Sequence, residues 1–152
     1  MSKNTVKTIK YEDMINIDPI TTNQVKAFDA WKDGDHLVLA GSAGTGKTFI
    51  ALNLALNTVL QHGNEFHRVV IVRSVVPTRD MGYLPGTLIE KSEPFEAPYK
   101  SICLELFNYD TAAYNKLTYN NQLEFTTTSF IRGITINNAI IIVDEMQNLN
   151  FH

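Results

Sequence analysis

The residues that most constrain this chain are Gly41 to Thr48, a glycine-rich octet set between the apolar run Leu37-Val38-Leu39-Ala40 and a long apolar helix pattern. Glycine admits backbone conformations closed to other residues, so such a stretch reads as a tight loop that continues neither neighbour. The run before it is uniformly apolar and bounded by Gly34 and Gly41, which predicts a strand covered on both faces. After it, Lys47 to Gln61 is apolar almost all round and stops at Gly63, which predicts a helix packed on a sheet. Val69-Val70-Ile71-Val72 then repeats the buried-strand signature. Strand, helix, strand with a connection of this length is a parallel crossover, so the expected class is α/β with a mostly parallel sheet.

The remaining segments fit one domain of 152 residues, with 1–19 as a polar N-terminal segment and 20–152 as the folded unit. Thr21 and Gln24 have capping-box spacing ahead of Val25, Phe28 and Trp31, which predicts a short amphipathic helix from Thr21 to Trp31. Gly82-Tyr83-Leu84-Pro85-Gly86 predicts a turn, and Pro94 and Pro98 predict a break in the helical pattern from Leu88 to Phe107. Leu123 to Thr128 predicts a short strand, and Ala139 to Val143 a third strongly apolar one leading into Asp144-Glu145.

Composition narrows the partners. Thirteen Lys and Arg against 16 Asp and Glu give a net charge of −3, so no global positive field draws the chain to polyanions, and any phosphate binding must be local. No stretch approaches the ~18 apolar residues of a membrane span, and no membrane partner is expected. The lone Cys103, in the run Ile102-Cys103-Leu104, cannot form an internal disulfide and reads as a buried small hydrophobe in a reducing, cytoplasmic compartment. His36, His62, His67 and His152 show no metal-ligand spacing.

Gly41-Ser42-Ala43-Gly44-Thr45-Gly46-Lys47-Thr48 is a full G-x-x-x-x-G-K-[ST] match in a strand-loop-helix context. In such a loop the backbone N–H groups converge on an anion and the helix adds its positive N-terminal end. Lys47 would reach the terminal phosphates, and Thr48 would offer a hydroxyl to magnesium. The loop implies a nucleotide but no particular reaction. The second element is Asp144-Glu145 at the C-terminal end of an apolar strand, the edge at which open α/β sheets bind ligands. Asp144 would hold the magnesium and Glu145 would activate a water. Two acids after a strand are common in solvated turns, and the octet is what gives this pair its meaning.

Together the octet, Gly82 to Gly86, Glu90-Lys91 with Pro94 and Pro98, Phe130-Ile131-Arg132-Gly133, and Asp144-Glu145-Met146-Gln147-Asn148 resemble the PhoH family of ATPases. The resemblance implies a three-layer, RecA-like P-loop NTPase core related to superfamily 1 helicase motors, with ATP and Mg2+ as cofactors and RNA or another single-stranded nucleic acid as a partner. By position it implies that Gln24 reads the adenine edge, a role that competes with capping Thr21. It also implies that Arg73 and Arg132 face phosphates or nucleic acid, and that Gln147 senses the γ-phosphate. Members that resemble this chain continue past the acid pair, and their sheet sets a further strand between the loop strand and the Asp144 strand. The sequence is therefore expected to be the N-terminal portion of a domain incomplete at its C-terminal end, a homo-oligomer being possible in the complete protein.

Three functions compete on these residues. An ATP hydrolase motor uses Glu145 to activate water. A kinase transferring phosphate to a small molecule or nucleotide excludes water and has no use for that carboxylate, and a binding module holds ATP without turnover.

Overall fold

The computed structural model describes residues 7–74 and 88–148, so the turn expected at Gly82–Gly86 lies outside the described residues. In chain order the elements are helix α1 (Thr22–Lys32), helix α2 (Lys47–Leu60), strand β1 (Arg68–Arg73), helix α3 (Leu88–Leu106), helix α4 (Ala113–Tyr119), strand β2 (Leu123–Thr127) and strand β3 (Ala139–Asp144). The strands form a parallel sheet in the order β2-β1-β3. Val69 is level with both Leu123 and Ile140, and Arg73 with both Thr127 and Asp144.

Period-two alternation decides which strand residues meet the helices. Val69, Ile71, Leu123 and Ile140 share one face, with Phe125 and Ile142 beside them. Onto that face pack Leu52 and Leu56 of α2, Tyr99, Cys103 and Leu106 of α3, and Ala113 and Leu117 of α4. Burying one leucine side chain is worth about 1.5–3 kcal/mol, so each large side chain in this contact layer contributes on that scale. The described residues are thus an α/β arrangement with a small parallel sheet, compatible with part of the three-layer core expected from the sequence. α1 joins through Trp31, whose indole N–H donates to Thr58 Oγ1 at 3.0 Å. The lead-in to α1 belongs to the same core: Ile9 is buried, and the Ile15 N–H donates to the Leu106 carbonyl at 2.8 Å.

Two expectations are corrected here. Leu37–Ala40 does not pair as a strand: it lies outside the sheet, and Val38 is 79% exposed. An apolar run becomes a strand only when a neighbour supplies ladder partners, and among the described residues none lies beside it. The outer edge of β3 is likewise unpaired among the described residues, and Ile141 and Val143 remain exposed on the face turned from the helices. The second correction concerns the prolines, because α3 runs through Pro94 and Pro98 without a break. Both prolines are exposed and sit four residues apart, hence on one helix face. Each proline removes one helix N–H donor, and the rest of the helix ladder carries α3 through both positions. Helix α4 and a 3-10 turn at Tyr11–Asp13 carry no strong periodic signal and are not anticipated from the sequence.

Val38→Lys should change unfolding free energy by less than about 0.5 kcal/mol in urea, as at any open position, whereas Val70→Lys, buried in β1, should cost at least about 3 kcal/mol. Burial pushes the Cys103 thiol up to about 12. Native protein should therefore resist iodoacetamide at pH 8 and label only in denaturant; rapid labelling without denaturant would show an open core.

Candidate functional site

Because all three strands are parallel, their C-terminal ends share one edge, with Thr127, Arg73 and Asp144 in a row. The glycine loop meets the sheet at this edge. Gly44 and Gly46 have φ of 77° and 80°, a region that costs a residue with a Cβ roughly 1–2 kcal/mol. A Cβ at Gly41 would sit 3.4 Å from Thr45 Oγ1, which itself donates to the Ser42 carbonyl at 2.8 Å. The Lys47 ammonium donates to the carbonyls of Gly41 at 2.8 Å and Ser42 at 2.7 Å, so the cation is tethered to the mouth of the loop that carries it. The first backbone bond of α2 runs from Ile50 N–H to Gly46 O at 2.9 Å. The N–H groups of Lys47, Thr48 and Phe49 therefore have no intrahelical acceptor, and they concentrate the positive end of the helix dipole beside the lysine.

Opposite them stands Asp144, the last residue of β3. The Thr48 hydroxyl lies 3.3 Å from its Oδ2 and 3.5 Å from its Oδ1, a contact between residues 96 apart in the chain. The Glu145 N–H donates to Oδ1 at 3.0 Å and the Tyr99 hydroxyl donates to Oδ2 at 2.7 Å. A hydroxyl beside a carboxylate is a hard-oxygen pair. Magnesium typically takes one or two protein oxygens and completes its shell with phosphate and water. Among the described residues no group of three or more His, Cys, Asp or Glu is placed to hold an ion. Glu145 has a φ of 57°, left-handed and strained for a residue with a long side chain, and its carboxylate accepts a hydrogen bond from the Gln147 amide.

The other sequence candidates are placed differently. Gln24 turns back on its own helix start: its N–H donates to Thr21 Oγ1 at 3.2 Å and its Oε1 accepts from the Ile20 N–H at 2.8 Å. This is the capping alternative, and the side-chain oxygen is committed to it. Arg73 is half-buried, with its guanidinium stacked over the Phe95 ring at 5.5 Å and donating to the Phe95 carbonyl at 3.5 Å, so it faces α3. Arg132 is exposed on the turn between β2 and β3. Sequence reasoning missed Tyr99. Its signal is its place in the α3 core stripe with Cys103 and Leu106, because a phenol on a core face needs a polar partner for its hydroxyl.

A glycine loop opening a helix, facing an acid at the end of a parallel strand, is the architecture of a P-loop NTPase core, here a partial one built on a three-stranded sheet. The chain belongs to the PhoH family: the profile described as PhoH-like protein matches residues 16–152. It is 33% identical over 131 residues to a PhoH-like protein of Mycobacterium leprae (strain TN), covering 86% of this chain and 36% of the relative. Protein PhoH2 of Bacillus subtilis (strain 168) is 35% identical over 119 residues, covering 76% of this chain and 27% of the relative. Protein PhoH of Escherichia coli (strain K12) is 29% identical over 110 residues, covering 72% and 30%. The chain thus spans about a third of the length of the curated relatives it matches. No helix among the described residues is long and apolar enough to cross a membrane.

Gly46→Ala forces a Cβ into the left-handed region and is expected to destabilise the fold by roughly 1–2 kcal/mol, read as a lower urea midpoint at unchanged slope.

Proposed function

We propose that this chain is the ATP-binding and ATP-hydrolysing core of its protein, working with Mg2+. The observation that carries the reading is the Thr48–Asp144 contact. It brings the start of the loop helix and the end of β3 to one point, within reach of an ion bound to nucleotide phosphates. The loop amides and the N-terminus of α2 would cradle the phosphates, and the Lys47 ammonium would leave the Gly41 and Ser42 carbonyls to meet them. Thr48 and Asp144 would hold the magnesium, which neutralises charge developing on the phosphate oxygens. Glu145, next in the chain, would accept the proton of the attacking water. The Gln147 amide, which donates to that carboxylate, would steady the base, and by the family resemblance it would also sense the terminal phosphate.

The presence of Glu145 beside the metal acid favours water as acceptor over a kinase substrate, which must be shielded from water. Lys47→Ala is expected to abolish nucleotide binding or turnover. Glu145→Gln should keep ATP affinity within a few-fold while phosphate release falls by at least ~10²-fold, the usual scale for a general base. Unchanged phosphate release in Glu145→Gln would sink the hydrolase reading and leave transfer or passive binding.

Coupling to single-stranded RNA or DNA is the finer part of the proposal, supported by the family resemblance and by the exposed Arg132. If it holds, ATP turnover should rise on adding single-stranded RNA at low salt, and Arg132→Glu should weaken that stimulation. A rate indifferent to RNA and DNA would remove nucleic acid from the proposal.

A further inference from the structure

Tyr99 lies at the centre of α3, on an element with no part in the loop or the acid pair, and it is 0% exposed. Its ring is wedged against Phe125 of β2, with centroids 5.5 Å apart and planes inclined at 40°, so the phenol is held by the core and not by solvent. From there its hydroxyl reaches Asp144 Oδ2 at 2.7 Å, the shortest of the contacts on that carboxylate. The opposite oxygen is held by the Glu145 N–H at 3.0 Å. A carboxylate fixed through both oxygens cannot rotate freely about its terminal bond, and its remaining lone pairs are presented in one direction, towards Thr48.

We propose that Tyr99 is a positioning residue that holds the Asp144 carboxylate in the orientation needed to share a divalent cation with Thr48. The inference rests on the nucleotide-binding reading above and adds to it a residue outside both phosphate motifs. Outer hydrogen bonds of this kind orient a metal-holding carboxylate and typically change metal affinity by ~10–100-fold when removed. Burial, reinforced by the neighbouring Asp144 and opposed by Arg73, raises the Tyr99 hydroxyl above its ordinary range. The alternative is that Asp144 merely satisfies a buried phenol, in which case removing the hydroxyl changes stability and leaves cation affinity alone.

The test uses the full chain, with Mn2+ as the probe and ADP as the nucleotide, and reads bound Mn2+ by electron paramagnetic resonance. Tyr99→Phe keeps the ring and deletes only the donor. It should weaken Mn2+ binding in the presence of ADP by at least ~10-fold while ADP affinity in EDTA stays within ~2-fold of wild type, a control that an unfolded variant would fail. Combined with Asp144→Asn, it should add less than ~2-fold, because both changes remove the same held carboxylate. Equal Mn2+ affinity in wild type and Tyr99→Phe, or full additivity with Asp144→Asn, overturns the positioning role alone. If the wild-type chain binds ADP with no dependence on the cation, the metal part of the nucleotide reading fails, and this inference with it.

Discussion

The parallel pairing of β1 with β3 is the interaction on which the rest of the molecule depends. It sets Arg73 level with Asp144 and so delivers the acid to the edge where α2 begins. A slip of one residue in this register would turn Ile140 and Ile142 out of the core and rotate Asp144 away from Thr48. The hydrophobic face that fixes the register is the one that carries Leu52 and Leu56, so the packing of α2 on the sheet and the approach of its first turn to Asp144 are one event.

What could be read in the sequence followed from how local each signal is. Helix α2, strands β1 and β3 and the octet rest on strongly apolar runs and on glycine, features that neighbouring residues alone decide, and β2 on a shorter, mixed run. Leu37–Ala40 shows the limit of that reasoning. It is as uniformly apolar a run as Val69–Val72, yet only the latter has ladder partners on both sides among the described residues. Pairing is a non-local property. The prolines of α3 show the same limit, since both sit inside one helix whose packing on the sheet is decided by distant residues. In the candidate site, Lys47, Thr48, Asp144 and Glu145 are named by motif alone, and the fold brings Thr48 and Asp144 together. Gln24 was legible only as a choice between two uses of one amide, and the fold spends its side-chain oxygen on the helix start. Tyr99 was hidden, because it looks like any other core aromatic until its hydroxyl is followed to its acceptor.

The site also draws strain and order from different places. Glu145 sits in the left-handed region, immediately after a residue held on three sides by Thr48, Tyr99 and the Glu145 amide. A backbone outlier persists only where its surroundings over-determine it, and here the fixed Asp144 carboxylate does so by accepting that amide. One of the two hydrogen bonds that fix the acid is thus also the one that holds the next residue in its unusual geometry. Arg73, turned onto Phe95 and close to Tyr99, ties the same group of residues to α3.

The unpaired state of Leu37–Ala40 bears on energetics as well as on topology. The glycine loop is anchored on one side by α2, which is deeply packed, and on the other by a segment that no ladder holds. Whatever orders that segment and whatever occupies the loop draw on the same conformational freedom. By thermodynamic reciprocity each then strengthens the other by an equal factor. A backbone partner for residues 37–40 would thus be felt at the loop without touching it.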